Sequence, residues 1–143
     1  MIQANFLYQF ATNNNWTAES RKGKFTIGVF GSSEVYLLLK EKYGAKPIGS
    51  QVLEILQPSD PSSEQTFHIL FVDKSKKADL PRLSKEFKDK NTLIVTNWEG
   101  ALQGGSMINF KNVDGNIRYE LNQNVMESRK ITPGQKILQW KVD

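Results

Sequence analysis

The residues that could carry out chemistry are few in this sequence, and their types exclude several kinds of site. Among 143 residues there is no cysteine and a single histidine, His68. A thiol nucleophile, a zinc knuckle or a histidine-rich metal centre cannot be built from such a set. His68 lies between Phe67 and Ile69 in an apolar run, where a histidine is more often a structural residue than a general base. We therefore predict no catalytic site, no metal site and no cofactor.

Small or polar residues follow three apolar segments, and these positions are the first candidates for ligand binding. They are Gly31, Ser32 and Ser33 after residues 24–30, Asp73, Lys74 and Ser75 after 66–72, and Asn97, Trp98 and Glu99 after 92–96. If these segments are parallel strands, their carboxyl ends meet at one edge of a sheet, where ligands bind near the topological switch point. Free N–H groups of a helix that starts beside Ser32 could hold a carboxylate or phosphate there. The pattern suggests a small anion-binding crevice, and the alternative is ordinary capping and turn chemistry.

Nucleic-acid and nucleotide binding are not favoured by the charge pattern or by the motifs. The chain has 19 basic and 15 acidic residues, but 15 of the basic residues are Lys and only four are Arg. Proteins that read bases rely on Arg and cluster their positive charge. Residues 28–33 lack the spacing of the dinucleotide-binding motif G-x-G-x-x-G, and no G-K-[ST] sequence follows a predicted strand.

Two carboxylates are candidates for acid–base chemistry. Glu120 shares a strand face with Arg118 at a spacing of two, and such a pair is more often structural than catalytic. Glu99, at the predicted crevice, and His68 are the candidate bases of a competing hypothesis, an enzyme on a Rossmann-like sheet. That hypothesis requires titratable groups to converge in one crevice with perturbed pKa values. The surface around Asn109, Arg118 and Glu120 is also a candidate for partner contact.

Aromatic side chains near segment ends mark further candidate contacts. Trp16 and Trp98 lie where a tryptophan can line a ligand cleft or a partner surface. Trp140, in contrast, is expected to fill the edge of a small core. Phe6 and Phe10 are expected to be exposed on the opening helix, where they would contact a partner.

Hydrophobic periodicity predicts the elements that must position these residues. The predicted helices cover residues 2–12, 34–44, 79–89 and 122–130, with a last short helix starting around Pro133. The predicted strands cover 24–30, 51–56, 66–72, 92–96, 107–113 and 116–121, the last two joined by a hairpin turn at Asp114-Gly115. Ser32 or Ser33 is expected to cap the second helix, which Gly44 ends. None of the apolar runs approaches the length of about 20 residues that spans a bilayer.

Strand–helix alternation followed by a hairpin predicts an α/β fold. We expect a three-layer, Rossmann-like sandwich, in which a mostly parallel sheet ends in an antiparallel C-terminal hairpin. Because we detect neither a repeat nor a linker, residues 1–143 are expected to form a single domain.

Several segments together resemble the YfiR-like family of bacterial regulators. The opening I-Q-A-N-F-L-Y-Q-F-A, followed by N-N-W-T, is similar to the start of the family's domain. The similarity continues through K-F-T-I-G-V-F-G-S-S at 24–33 and H-I-L-F-V at 68–72. It is clearest at G-G-S-M-I-N-F (104–110), N-I-R-Y-E-L-N (116–122) and I-T-P-G-Q-K-I-L (131–138). The ordered combination covers essentially the whole chain.

The resemblance implies a non-enzymatic, periplasmic signalling domain that binds a membrane-bound protein, a diguanylate cyclase or a sensor kinase. It also implies a homodimer, and a small ligand is a further expectation. From the charge pattern and the short apolar runs we expect no nucleic-acid partner and no direct insertion into the membrane. An export signal or membrane anchor would then belong to a part of the protein outside this sequence. Three alternatives remain open: the sensor domain of a membrane histidine kinase, a module that binds a small molecule, and the enzyme described above.

Overall fold

The structure is a computed structural model and describes residues 2–142, which form a central sheet with helices on both faces. The helices are α1 (Gln3–Asn13), α2 (Ser33–Tyr43), α3 (Leu80–Glu86), α4 (Gln123–Ser128) and α5 (Gln135–Trp140). The strands are β1 (Asn14–Asn15), β2 (Phe25–Phe30), β3 (Pro47–Ile48), β4 (Gln51–Leu56), β5 (Ile69–Val72), β6 (Leu93–Thr96), β7 (Ile108–Val113), β8 (Asn116–Leu121) and β9 (Thr132–Pro133). Short 3₁₀ turns occupy Glu19–Arg21, Lys74–Asp79 and Ala101–Gly104.

Seven strands form the main sheet in the order β3-β4-β2-β5-β6-β7-β8. Strands β4, β2, β5, β6 and β7 run parallel, whereas the edge strands β3 and β8 pair antiparallel to their neighbours. The predicted fold class, a mostly parallel α/β sheet with an antiparallel C-terminal hairpin, is confirmed. The chain leaves β2 for β4 on one side and returns to β5 on the other, so the topological switch point lies between β2 and β5.

The hairpin between β7 and β8 forms where the Asp-Gly pair predicts it. Asp114 and Gly115 have φ values of 53° and 82°, the positive values that both central residues of a type I′ turn require. The Asn112 side chain accepts a hydrogen bond from the Gly115 N–H (2.9 Å) and closes the turn. The turn fixes the register that places Phe110 opposite Tyr119.

The larger core lies between the sheet and helices α1, α2, α4 and α5. Phe10 is fully buried, with its ring centroid 5.8 Å from that of Phe110 and 5.1 Å from that of Tyr119. Phe6 is half-buried and lies 5.7 Å from both of these rings. The prediction that Phe10 is exposed is wrong, and Phe6 is only partly exposed, because the apolar face of α1 packs on the β7–β8 hairpin.

The smaller core lies on the opposite face of the sheet, under α3. Leu80 and Leu83 of this helix pack with Phe87 against Leu70 and Ile94 of the sheet. The helix is shorter than the predicted 79–89, because the chain makes a 3₁₀ turn before Leu80 and leaves helical geometry at Phe87.

Strand β5 starts at Ile69 and not at residue 66, and His68 lies directly before it, with its backbone bonded to Thr26 of β2 and Leu93 of β6. Its side chain is 4% exposed, and the Thr26 backbone N–H donates to Nδ1 at 3.1 Å. The ring proton therefore belongs on Nε2, which donates to the Ser20 carbonyl oxygen at 2.6 Å. His68 is a buried, neutral imidazole with both nitrogens bonded. Burial lowers its pKa below the ordinary value of 6.5, although the bond to Ser20 opposes the shift.

The stability of the protein is expected to fall as the pH is lowered from about 7 to 5.5, because burial lowers the pKa of His68 in the folded state. His68 is the one histidine of the chain, so it dominates titration in this range. The unfolded chain takes up a proton near pH 6.5 and the folded chain does so only at lower pH, so protonation favours unfolding. Urea unfolding at several pH values measures this slope. A His68→Gln variant should be less stable at pH 7 and nearly flat across the same window. Equal slopes in the two proteins would contradict this account.

The C-terminal segment returns to the N-terminal one. Asn14 of β1 pairs with Pro133 of β9, so Pro133 ends a short strand and α5 starts two residues later. The Ile137 side chain of α5 is buried in the core, whereas Trp140 is 41% exposed. The prediction that Trp140 fills the core edge is wrong. Beyond α5, the Val142 N–H donates to the Tyr119 carbonyl oxygen (2.8 Å) at the edge of β8.

Candidate functional site

The ends of β2, β5 and β6 meet at one edge of the sheet, as the sequence predicts. The Asn97 side chain, which follows β6, joins the end of β5: its Oδ1 accepts from the Lys74 N–H at 2.7 Å, and its Nδ2 donates to Asp73 Oδ1 at 2.9 Å. Nδ2 also lies 3.3 Å from Oε1 of Gln3 in α1. Asn97 therefore fixes the loop after β5 against the loop after β6 and against the opening helix.

Gly31 allows the chain to leave β2 in this crowded place. Its φ of 97° is in the left-handed region, and a Cβ at this position would come within 2.6 Å of Lys76 Cγ and 2.9 Å of Ser75 Oγ. The Ser75 hydroxyl donates to the Gly31 carbonyl oxygen at 3.0 Å. Ser32 then caps α2, because its Oγ accepts from the Val35 N–H (3.1 Å), which confirms the predicted capping.

An open recess of about 270 Å³ lies at this edge, beside the switch point. Its lining residues are Ile2, Gln3, Ala4, Ser32, Glu34, Val35, Leu38, Asp73, Lys74, Asn97 and Ile117. Partial burial raises the pKa of Asp73, but hydrogen bonds from Ser75 and Asn97 and the charge of Lys74 outweigh it, so the pKa lies below its ordinary value. The polar wall thus carries the carboxylates of Asp73 and Glu34 beside one lysine. Such a wall is mixed in charge, and it does not favour anions in particular.

The side chain of Asn109 in β7 holds the loop that follows β6 through hydrogen bonds to the Trp98 backbone. The residue is fully buried, and its side chain accepts from the Trp98 N–H (3.2 Å) and donates to the Trp98 carbonyl oxygen (2.8 Å). It also donates to Glu120 Oε2 at 2.9 Å and accepts from the Thr96 hydroxyl at 2.8 Å. The half-buried Trp98 side chain packs against the smaller core. Asn109 therefore positions the Trp98 loop and is not a surface contact.

The remaining candidates do not form one site. Glu120 pairs with Lys111 (3.7 Å) and not with Arg118, whose guanidinium lies 3.5 Å from the Trp140 carbonyl oxygen. Ser33 and Glu99 are exposed. Glu99 lies beyond the carboxyl end of β6, whereas His68 lies at the amino end of β5, so the two candidate bases do not share a crevice.

Trp16 is a core residue and not a surface contact. It is 6% exposed, and its ring stands edge-on to Phe25 with centroids 5.0 Å apart. Within residues 2–142, no hydrogen-bond partner is found for its buried Nε1.

Trp140 forms a second surface feature, which the sequence interpretation missed. Together with Phe6, Gln9, Arg118 and Gln139 it lines an open groove of about 330 Å³. We name these five residues the Trp140 groove. Its floor is aromatic and its rim carries the Arg118 guanidinium. Trp140 lies in the last turn of α5, a short helix whose buried residue is Ile137. This position at the end of a short helix is the sequence signal that could have identified the groove.

In the part of the chain from Ile2 to Val142, no group of three or more His, Asp or Glu side chains is placed to hold a metal ion. Among the helices of the same part, none combines the length and the apolar character needed to cross a membrane.

A family model described as YfiR/HmsC-like matches residues 1–140. No curated protein matches the chain.

Proposed function

The chain belongs to the YfiR/HmsC-like family, a family of periplasmic regulators of diguanylate cyclase signalling, and on this premise we propose that it binds the extracytoplasmic part of a membrane-bound signalling protein. The family is regulatory and non-catalytic. We further propose that residues 1–143 act as one domain, and that the signalling protein is a diguanylate cyclase or a sensor kinase.

The exposure of Trp140 is the observation that carries this proposal. Trp16 is buried and Trp98 is half-buried, whereas Trp140 leaves 41% of its surface in solvent. Tryptophan and arginine are enriched among the residues that dominate binding energy at protein interfaces. The Trp140 groove holds both types within one depression, with the half-buried Phe6 as its floor. The groove therefore has the composition of an interface centre.

The groove also specifies what a partner must supply. An apolar side chain would fill the space beside Phe6 and Trp140, and a carboxylate would pair with Arg118. An arginine offers a fork of N–H donors that matches a carboxylate in two bonds. The partner surface is thus expected to present an apolar residue flanked by Asp or Glu.

Site-specific photocrosslinking in the native host tests the proposal. A photoreactive phenylalanine analogue at position 140 is expected to crosslink to a membrane protein, and mass spectrometry of the product would identify a diguanylate cyclase or a histidine kinase. The matched control places the same analogue at Leu37, which is 59% exposed on α2 and lies outside the groove. That position should give no such product.

Three outcomes of this experiment would count against the proposal. Equal crosslinking from positions 140 and 37 would show that the groove is not a specific contact. Crosslinks only to a second copy of the chain would assign the groove to a homodimer. A product containing a soluble enzyme alone would contradict a membrane-bound partner.

A further inference from the structure

Three distant segments meet at the amino ends of the parallel strands, where the Asn91 side chain joins them. Its Oδ1 accepts from the Ser20 hydroxyl at 2.7 Å and from the Thr17 N–H at 3.1 Å. Its Nδ2 donates to the carbonyl oxygens of Arg129 (2.6 Å) and Lys130 (3.0 Å). This arrangement brings the chain before β2, the chain after α3 and the chain after α4 into one surface.

That surface is strongly basic. The recess at its centre, about 390 Å³, is lined by Thr17, Lys88, Asp89, Lys90, Asn91, Ser128, Arg129 and Lys130. We name Lys88, Lys90, Arg129 and Lys130 the basic rim. Arg21 adds a positive charge in the segment that Ser20 fixes to Asn91, whereas Lys22 of the same segment pairs with Glu19 (3.7 Å). Asp89 is the one carboxylate that lines this recess among the described residues.

The three lysines of the basic rim make no ion pair among the described residues, whereas Arg129 interacts with the charge of Asp89. Lys88, Lys90 and Lys130 are all exposed. The Arg129 guanidinium is anchored, because it donates to the Phe87 carbonyl oxygen at 2.9 Å. The rim therefore combines one anchored guanidinium with three ammonium groups exposed to solvent.

The composition of the rim favours a diffuse anionic surface over a folded protein partner. The centre of a protein interface is apolar and depleted in lysine. Here the recess contains no aromatic or large aliphatic side chain, and the exposed tryptophan of the chain lies in the Trp140 groove instead. Flexible lysines attract a surface of many lipid phosphates without requiring one fixed geometry.

We propose that the basic rim docks on an anionic lipid surface. The contact goes beyond the proposed function, because it needs no protein partner. It places the amino ends of the strands against the headgroups and points the crevice at the carboxyl ends away from the bilayer. A domain held in this way would search for a membrane-bound partner in two dimensions.

Vesicle co-sedimentation tests the contact with the purified chain. The protein is expected to pellet with vesicles of phosphatidylcholine mixed with phosphatidylglycerol and not with vesicles of phosphatidylcholine alone. Binding should weaken steadily as the ionic strength rises towards about 0.15 M, where screening shortens the range of the attraction to about 8 Å. A lysine near an anionic surface strengthens binding about five-fold, so the triple variant Lys88→Gln, Lys90→Gln, Lys130→Gln should bind about 100-fold more weakly.

A second triple variant separates location from net charge. Lys46, Lys77 and Lys136 are exposed and lie outside the basic rim, so changing these three to Gln removes the same charge. This control should keep most of the binding, and circular dichroism should find both variants folded. An equal loss in the two variants would overturn the proposal, and so would equal pelleting of the wild type with both kinds of vesicle. Neither result would affect the Trp140 groove, which is tested by crosslinking to protein.

Discussion

Replacing Trp140 by alanine is expected to weaken binding to the membrane-bound partner about 30-fold or more. Residues that dominate an interface lose at least about 2 kcal/mol of binding free energy on truncation, and each 1.4 kcal/mol is a factor of about ten. Trp140 qualifies because its ring is offered to solvent beside Phe6 and Arg118. Titration calorimetry with the extracytoplasmic part of the crosslinked partner measures the change.

The stability of the Trp140→Ala variant separates recognition from folding. Because the side chain lies at the surface, its free energy of unfolding should fall by less than about 1 kcal/mol. Leu37→Ala serves as the matched control, since it removes an exposed apolar side chain outside the groove. An unchanged affinity of the Trp140 variant, or an equal loss in both variants, would mean that the groove does not bind the partner.

Replacing Phe10 by alanine is expected to lower the free energy of unfolding by about 3–5 kcal/mol. The ring is completely buried and contacts aromatic rings of both strands of the hairpin, Phe110 and Tyr119. Its removal leaves a cavity between α1 and the sheet that these rigid rings cannot fill. Urea unfolding followed by fluorescence measures the loss.

The expected loss at Phe10 is large compared with the total stability of a domain, about 5–15 kcal/mol. Leu37→Ala again provides the comparison and should change stability by about 0.5 kcal/mol or less. A loss below about 1 kcal/mol for Phe10→Ala would contradict the packing of α1 on the hairpin. It would also reopen the interpretation of this side chain as a partner contact.

Local sequence signals were sufficient to predict most elements. The alternation at 51–56 matches β4 residue for residue, and the Asp-Gly pair locates the hairpin turn. Ser32 and Gly44 bound α2 as predicted, because capping depends on the residues at the helix ends themselves. The crevice followed from the same reasoning, since parallel strands must end at one edge once their order is known.

Side-chain environments were predicted less well, because they depend on neighbours that are distant in the sequence. Periodicity shows that Phe6 and Phe10 share a helix face, but not that a hairpin a hundred residues away covers it. Asn109 looked like a surface residue of a strand, and it is buried because Thr96, Trp98 and Glu120 satisfy its amide. Asn91 gave no signal at all, since its partners come from segments on both sides of it in the chain.

The contact between the first helix and the last strand of the sheet has a consequence for how the polypeptide matures. Phe10 cannot find Phe110 and Tyr119, and Asn14 cannot pair with Pro133, until nearly the whole chain is available. Contacts that span such sequence separations form late, because the loop between them must close first. A nascent chain emerging from the ribosome or from a translocation pore therefore exposes the apolar stripe of its opening segment throughout its passage. Residues 4–11 are accordingly an expected site of chaperone capture during biogenesis.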